Sequence, residues 1–238
     1  KQERAMTKKQ SWSVIVFCYN EHKTVAKVIS DALRVLSEMS DDFEIIAVND
    51  GSTDGSDAAI DGMAQEHEQV QAVHHSINLG IGHALRSGYD NARCENVVAI
   101  AADGEFQMEE LKPFAVLPER NFVSFYREVN TVYSSYRDML SLTNRKLNKL
   151  FLGMELRDVN WSNIYKNADL KSLNLVLTSS LIESEICAKL IKRGHKAIES
   201  PSQYLERKEG KSKGGSLKIV WQAAKDTFKL IRVVRAFK

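Results

Sequence analysis

The stretch FEIIAVNDGSTDGS, residues 43–56, decides how the rest of the chain folds. Its apolar, β-branched first half predicts a buried strand. This strand ends where Asn49, Asp50 and Gly51 introduce the small polar residues of a turn. Because ligands in open α/β sheets bind beyond the carboxyl ends of the strands, Asp50 is a candidate to hydrogen-bond a base or a ribose.

The residues after this turn predict the start of a helix. Ser52, Thr53, Asp54 and Ser56 offer N-cap side chains for a helix that begins near Asp57. An ordinary strand-to-helix turn has the same residue types, so the stretch alone does not establish a nucleotide site.

Strands and helices alternate on both sides of this stretch. Residues 13–18, 70–74 and 96–102 are apolar runs that predict strands, whereas residues 23–39 and 57–66 predict helices. This alternation favours right-handed βαβ units. We therefore expect an α/β fold, a single domain with a mostly parallel central sheet flanked by helices.

Composition limits the class of protein. The chain has 238 residues, of which 43% are hydrophobic, and this is enough for one sizeable core. No apolar run approaches the roughly 18 residues that span a bilayer, and since these residues include no hydrophobic signal segment, we do not expect secretion. Cys18, Cys94 and Cys187 are far apart and form no CxxC motif, which favours reduced thiols and a cytoplasmic location.

The ends of the chain differ from its middle. We expect residues 1–12 to be a flexible tail, 13–206 the main domain, 207–215 a basic mobile loop and 216–238 a basic amphipathic helix. Ten Lys or Arg and only two acids lie from residue 207 onward, which predicts an anionic partner. No nucleic-acid-binding motif accompanies this charge, so we expect no nucleic acid.

The last segment has apolar residues at helical spacing between cations. The stripe consists of Leu217, Val220, Trp221, Ala224, Phe228 and Ile231. Such a helix either lies in a membrane interface, as a peripheral contact, or packs on the main domain. The sequence leaves both alternatives open.

A glycine-containing stretch, NLGIGHALRSGYDNA, occupies residues 78–92. Gly80 and Gly82 allow a tight turn and a close approach of the backbone to a ligand. The helix that follows is expected to point its N-terminus at the carboxyl edge of the sheet, which favours a diphosphate. The spacing is not the dinucleotide GxGxxG.

A second acidic cluster, DGEFQMEEL, follows the predicted strand 96–102. Asp103, Glu105 and Gln107 alternate, so an extended chain would place them on one side. Their oxygens suit Mg²⁺ or Mn²⁺ held together with substrate phosphates. The alternative, an acid-rich helix start, accounts better for Glu109 and Glu110 than for the first two acids.

Four stretches together, VIVFCYNE, VNDGSTDGS, NLGIGHALRSG and ADGEFQMEEL, resemble the successive motifs of family 2 glycosyltransferases with the GT-A (Rossmann-like) fold. The later stretches FYR, YRDMLS, LRDVNWSNIYK and YLERKEGKSK resemble the polyprenyl-phosphate sugar transferases of the dolichyl-phosphate mannosyltransferase type. The resemblance implies transfer of a hexose from a GDP- or UDP-linked donor to a polyprenyl phosphate at the cytoplasmic membrane face, with inversion at the sugar.

The resemblance also implies roles for individual residues. The donor nucleotide would be held by Tyr19, Glu21, Asp50, Ser52, Asn78 and Gly80. The divalent metal and diphosphate would be held by Asp103, Glu105 and Gln107. The acceptor phosphate would be surrounded by Arg127, Arg137, Ser141 and Arg207, and Asp158 would support the sugar side of the cleft.

The acidic cluster departs from the family's usual Asp-x-Asp followed by Gln. In one register, Asp103 and Glu105 are the pair and Gln107 follows. In the other, Asp103 is the second Asp, Glu105 takes the place of Gln, and Ala101 replaces the first Asp. The second register would weaken metal binding and leave a degenerate domain that binds nucleotide or lipid phosphate without turnover.

The acceptor decides whether a general base is needed. A phosphate monoester has a second pKa of about 6 and is already ionised at neutral pH. A saccharide hydroxyl, the alternative acceptor, would require a base. Glu183 and Glu185 are the candidates, although we favour their interpretation as exposed or capping acids near a helix start.

Overall fold

The computed structural model describes residues 9–127, 149–203, 205 and 217–237. Seven strands form one sheet in this part of the chain. They are β1 (Trp12–Cys18), β2 (Phe43–Asn49), β3 (Val70–His74), β4 (Asn96–Ala101), β5 (Asn121–Arg127), β6 (Ser162–Lys166) and β7 (Lys196–Ser202). The strand order is β3-β2-β1-β4-β6-β5-β7, and β6 is antiparallel to both of its neighbours while the other pairs are parallel. The predicted mostly parallel sheet is confirmed.

Helices cover both faces of this sheet. They are α1 (Val25–Met39), α2 (Ser56–Glu66), α3 (Ile81–Asn91), α4 (Asn167–Lys171), α5 (Ile182–Lys192) and α6 (Leu217–Ala236), with a 3₁₀ helix at Met108–Phe114. Val14 and Val16 of β1 join α1 and α2 in one apolar cluster, whereas Ile15 joins α3 and α5 in the other. Neighbouring residues of one strand thus supply two cores, because side chains alternate across a sheet.

The first half of the chain follows the predicted order of elements, with one correction. Trp12, which we predicted to belong to the flexible tail, is buried and begins β1. Its Nε1 donates to the Ala115 carbonyl oxygen at 3.3 Å, and Ser11 N–H donates to Glu95 Oε2 at 3.1 Å. The folded domain therefore begins before residue 13.

The start of α2 also differs from the prediction. The N-cap is Gly55, with a left-handed φ of 90°, and no side chain caps the helix. Asp54 instead accepts hydrogen bonds from Ser56 N–H at 3.1 Å and from His22 N–H at 3.0 Å. Partial burial raises the pKa of Asp54, but the hydrogen bond from the Ser56 hydroxyl, together with these N–H bonds, outweighs it and lowers the pKa. The polar residues of this turn therefore join two loops, and Asp54 also accepts from the first N–H of α2, although the N-cap position itself is Gly55.

The C-terminal helix α6 packs on the domain through its last turns. Leu230 and Val234 are buried against the core on the α5 side of the sheet. Lys192 of α5 donates to the carbonyl oxygens of Val234 and Arg235 at 3.0 Å. Phe228, part of the predicted stripe, is 79% exposed. The C-terminal end of α6 therefore packs on the main domain, which is one of the two alternatives that the sequence left open. It packs through Leu230 and Val234, which are not part of the predicted stripe.

None of the described helices has an apolar stretch that is long enough to cross a bilayer.

Candidate active site

The carboxyl ends of β1, β2 and β4 lie side by side, and the loops that follow them are bonded together. Asn20 N–H donates to Ser52 Oγ at 2.9 Å, and Thr53 N–H donates to Asn20 Oδ1 at 2.8 Å. Thr24 Oγ1 donates to the Ala102 carbonyl oxygen at 2.6 Å, which ties the start of α1 to the end of β4. The motifs predicted to share one edge of the sheet do share it.

Asp50 is buried at this edge, with only 3% of its surface exposed. Its Oδ1 accepts from Leu79 N–H at 2.9 Å and lies 2.7 Å from His75 Nδ1, while its Oδ2 accepts from Gly80 N–H at 2.8 Å. Both carboxylate oxygens therefore have partners within the protein. The carboxylate thus holds the glycine loop, and the expected contact of Asp50 with a base or ribose stays a prediction.

His75 extends this arrangement into α3. Its Nε2 lies 2.8 Å from Ser87 Oγ, so the imidazole joins the carboxylate of Asp50 to the helix that follows the glycine loop. His75 side chain is 10% exposed. Sequence reasoning missed this role because Asp50 and His75 are 25 residues apart. Three segments are thereby held in one position relative to each other.

The glycines of this region allow close backbone contacts. A Cβ on Gly51, whose φ is +68°, would lie 2.3 Å from the Ile77 carbonyl carbon. A Cβ on Gly82 would lie 2.3 Å from the Thr178 carbonyl carbon. Gly80 has a φ of +93° and open space around its Cβ position. Neighbouring backbone therefore packs closely against Gly51 and against Gly82 in the first turn of α3, whereas the space beside Gly80 is open.

The other residues expected at the nucleotide lie in these same loops. Glu21 N–H donates to Ser56 Oγ at 3.0 Å, and Ser52 N–H donates to Asn49 Oδ1 at 3.0 Å. Tyr19 is partly buried, and Asn78 is exposed next to Gly51. All of them therefore border the same edge of the sheet, while Ser52 also serves as an acceptor within the loop.

The acidic cluster after β4 is a turn rather than an extended segment. Gly104 has a left-handed φ of 75°, and Glu105 N–H donates to Asp103 Oδ1 at 3.1 Å. Phe106 is buried against Phe125, with ring centroids 5.3 Å apart. The expectation that an extended chain aligns Asp103, Glu105 and Gln107 is wrong, because the chain reverses at Gly104 and Phe106 enters the core.

The turn still supplies oxygen ligands of the kind that Mg²⁺ and Mn²⁺ prefer. Asp103 and Glu105 offer carboxylates and Gln107 offers an amide. Within the described ranges, no group of three or more His, Cys, Asp or Glu side chains could hold a metal.

Arg127 lies at the end of β5 close to this turn. Its Nε donates to Asp158 Oδ2 at 2.8 Å, and its guanidinium lies 4.9 Å from the centroid of the Trp161 ring. Trp161 in turn packs 6.2 Å from Phe106. Asp158, expected to support the sugar, is the ion-pair partner of Arg127. The other predicted acceptor residues, Arg137, Ser141 and Arg207, lie outside the described residues.

The segment that leads toward residue 207 begins beside the acidic turn. Leu205 N–H donates to the Glu105 carbonyl oxygen at 3.1 Å. Gln107 Nε2 donates to Gln203 Oε1 at 3.2 Å, and Gln203 N–H donates to Glu110 Oε1 at 2.8 Å. Residues 203 and 205 therefore lie next to the candidate metal ligands.

The expectation that Glu183 and Glu185 are exposed or capping acids is wrong. Both are buried in α5. Glu183 Oε2 accepts from the Tyr165 hydroxyl at 2.6 Å, and Oε1 accepts from the Tyr89 hydroxyl. Burial raises the pKa of Glu183. Glu185 pairs with buried Lys189 at 2.6 Å. These carboxylates belong to internal polar networks, which local sequence spacing did not reveal.

Sequence comparison gives the family. The profile described as "Glycosyl transferase family 2" matches residues 13–162. A dolichyl-phosphate β-glucosyltransferase of Trichomonas vaginalis is 30% identical over 123 residues, 50% of this chain and 37% of the relative. An undecaprenyl-phosphate 4-deoxy-4-formamido-L-arabinose transferase of Edwardsiella ictaluri is 24% identical over 217 residues, 87% of this chain and 64% of the relative. The chain thus spans between about one third and two thirds of these relatives' length.

Structural comparison agrees on the fold. A crystal structure of glucosyl-3-phosphoglycerate synthase from Mycobacterium tuberculosis, in complex with Mn²⁺, UDP-glucose and phosphoglyceric acid, superposes with a TM-score of 0.69. The match covers 96% of this chain and 81% of that chain at 16% identity. At this identity the likeness shows a shared fold.

Proposed function

This chain belongs to glycosyl transferase family 2, and on that premise we propose that it transfers a hexose from a UDP- or GDP-linked donor to a polyprenyl phosphate, inverting the anomeric centre. The observation that carries the proposal is the convergence of three bonded loops and a helix N-terminus at one edge of the sheet. Relatives named for dolichyl-phosphate and undecaprenyl-phosphate acceptors support the acceptor class.

The donor diphosphate is proposed to bind at the start of α3. The first N–H groups of a helix have no partner within the helix, and its dipole favours anions. The open conformation at Gly80 lets the backbone approach a phosphate. We propose Asp50 and His75 as positioning residues, because their hydrogen bonds hold this loop in place.

Asp103, Glu105 and Gln107 are proposed to hold the divalent cation. A bound Mg²⁺ or Mn²⁺ would neutralise charge that develops on the leaving diphosphate. The Mn²⁺ complex of the M. tuberculosis enzyme supports a divalent metal in this fold. The turn at Gly104 and the hydrogen bond from Leu205 N–H to the Glu105 carbonyl oxygen support this proposal, because they bring the segment that ends at residue 205 beside Glu105.

A phosphate acceptor accounts better for the buried acids than a saccharide hydroxyl does. Glu183 accepts hydrogen bonds from Tyr89, Tyr165 and Asn163, and Glu185 is paired with Lys189. Neither is poised to take a proton from a hydroxyl. An ionised phosphate needs cations instead, and we propose Arg127, Arg137, Arg207 and Ser141 for this role.

We also propose a peripheral contact with the cytoplasmic face of a membrane, where the lipid acceptor resides. Exposed Phe228 on α6 is flanked by exposed Lys225, Lys229 and Arg232. An aromatic side chain among cations is typical of helices that contact anionic lipid surfaces. The free, buried cysteines of the described chain agree with a reducing compartment.

The experiment is transfer of radiolabelled sugar to a short-chain polyprenyl phosphate, with a panel of UDP- and GDP-hexoses and added Mn²⁺ or Mg²⁺. We expect a lipid-linked product with one donor and none from Asp103→Ala. A product only with oligosaccharide acceptors would replace the proposed acceptor. Binding of nucleoside diphosphate without transfer from any donor would favour a degenerate domain.

A further inference from the structure

The loop between α4 and α5, residues 172–181, lies against the start of α3. A Cβ on Gly82 would lie 2.3 Å from the Thr178 carbonyl carbon, so the two backbones touch at the first turn of the helix. One turn later, Arg86 donates to the Leu175 carbonyl oxygen at 2.7 Å. Because the donor diphosphate is placed at this end of α3, the position of the loop bears on the donor site.

The middle of this loop has no regular secondary structure. Residues 174–178 are neither helix nor strand, so their backbone groups need partners elsewhere in the protein. Glu185 of α5 supplies two acceptors. Its Oε1 accepts from Val176 N–H at 2.9 Å, and its Oε2 accepts from Leu177 N–H at 2.7 Å. One carboxylate therefore fixes two neighbouring peptide groups of the loop.

The ammonium group of Lys189, one turn further along α5, holds the preceding part of the loop. Its Nζ donates to the carbonyl oxygens of Leu173 and Asn174, both at 3.0 Å, and to Glu185 Oε1 at 2.6 Å. The ring of Phe237, which follows α6, has its centroid 4.9 Å from this nitrogen. The side chain of Lys189 is 2% exposed and that of Glu185 is fully buried. The two charges are therefore removed from water and compensate each other.

Stability alone does not explain a buried pair of this kind. The desolvation penalty of two buried charges can exceed their attraction, and uncharged residues of similar volume are often at least as stabilising. Apolar side chains, however, offer no partners to the N–H and carbonyl groups of a loop. The bonds from Glu185 and Lys189 supply these partners at four residues of the loop. The pair thus fixes where the loop lies.

We propose that Glu185 and Lys189 are positioning residues for the donor diphosphate. They hold residues 173–177, the following residue supports the first turn of α3, and the N–H groups of that turn meet the phosphates in a fixed orientation. The inference rests on the proposed function and deepens it, because it assigns part of the donor affinity to two buried residues behind the site.

The test removes both charges together, in Glu185→Gln/Lys189→Met. No buried charge is left unpaired and the side-chain volumes change little, so the fold is expected to persist. The loop nevertheless loses both bonds from Lys189 and one of those to Glu185. Calorimetric titrations with UDP and GDP, with Mn²⁺ and without any acceptor, are compared with urea unfolding of the same preparations.

We expect the dissociation constant of the nucleoside diphosphate to rise about tenfold in the double variant, which lies within the usual range for coupling between two sites. Val35→Ala is the control, because Val35 is buried in the apolar cluster on the other face of the sheet. It should lower the urea midpoint and leave nucleotide affinity unchanged. A double variant that binds nucleotide like the wild type would overturn the proposal, as would an equal loss of affinity in Val35→Ala.

Hydrogen exchange of the wild type keeps the inference testable if the double variant does not fold. Coupling is reciprocal, so a bound diphosphate must order the loop by the factor by which the ordered loop strengthens binding. Saturating nucleoside diphosphate should therefore slow exchange of the Val176 and Leu177 amides about tenfold and leave the amides of β7 unchanged. Unchanged exchange at Val176 and Leu177 would refute the inference.

Initial rates of transfer separate this inference from the proposed function. In the double variant, the KM for the donor should rise about tenfold while the KM for polyprenyl phosphate stays within roughly twofold. If the expected change in binding occurs but the wild type transfers no sugar, only the proposed function is refuted. If the wild type transfers sugar and the double variant has the same donor KM, only the inference is refuted. A wild type that binds neither nucleotide would overturn both.

Discussion

Replacing Asp50 with Asn tests whether this carboxylate holds the glycine loop. Asp50 accepts from Leu79 N–H at 2.9 Å and Gly80 N–H at 2.8 Å and lies 2.7 Å from His75 Nδ1. An Asn amide keeps one acceptor oxygen but places an NH₂ group against at least one of these donors. One charge-assisted bond is lost and one buried donor is left unpaired.

The expected loss of stability follows from these contacts. Hydrogen bonds to charged groups contribute about 1.5–3 kcal/mol, and an unpaired buried donor costs about 1–3 kcal/mol. We therefore expect Asp50→Asn to lower the free energy of unfolding by about 2–4 kcal/mol. For a chain of this size this corresponds to a fall in Tm of roughly 4–16 °C. Nucleoside diphosphate binding should weaken as well, because the loop before α3 is no longer held.

The assay is urea unfolding followed by circular dichroism, with UDP and GDP titrations on the same preparations. Asp90→Asn is the control, since Asp90 is exposed near the C-terminal end of α3 and its change should be nearly neutral. If Asp50→Asn unfolds at the same urea concentration as Asp90→Asn, the carboxylate does not hold the loop, and the reasoning fails.

Three further predictions concern other residues of the site and the core. In urea unfolding, Gly82→Ala should lower the free energy of unfolding by about 1–3 kcal/mol, because the added Cβ would lie 2.3 Å from the backbone of Thr178. Gly62 has open space around its Cβ position, so the control Gly62→Ala should raise the free energy of unfolding by about 0.5–1 kcal/mol. Equal effects of the two substitutions would contradict this packing. Burial raises the pKa of Glu183, so between about pH 4 and the raised pKa the folded state keeps a proton that the unfolded state has released. The stability of the wild type relative to Glu183→Gln should therefore fall as the pH rises through this range. A difference in urea midpoints that does not change with pH would disprove this. Arg127→Ala should raise the apparent KM for polyprenyl phosphate about tenfold and leave the KM for the donor within roughly twofold, as measured by initial-rate kinetics. Equal increases in the two KM values would show that Arg127 does not belong to the acceptor site.

The elements of the first half could be predicted because their signals are local. The strand expected at 70–74 is β3 with the same bounds, and the run after Phe43 is a strand through Asn49. Apolar runs between turn residues identify strands buried on both faces, and no distant partner is needed to recognise them. The shared edge of the carboxylates then follows from the parallel sheet.

The contacts within the site could not be predicted, since they join residues far apart in the chain. Glu183 meets Tyr89 across 94 residues, and the acids of α5 look exposed until the sheet and α6 cover that helix. The acidic turn was mistaken for an extended segment although it contains Gly104, which takes a left-handed conformation. Alternation of residue types does not distinguish a strand from a turn that a buried aromatic side chain, here Phe106, holds in place.

The most direct test of the account is the position of a metal in a crystal grown with UDP and Mn²⁺, located by anomalous scattering. We expect a manganese peak within direct coordination distance of an Asp103 carboxylate oxygen, and a diphosphate beside it at the N-terminus of α3. A diphosphate bound away from that helix, or a metal that does not touch Asp103, would contradict it.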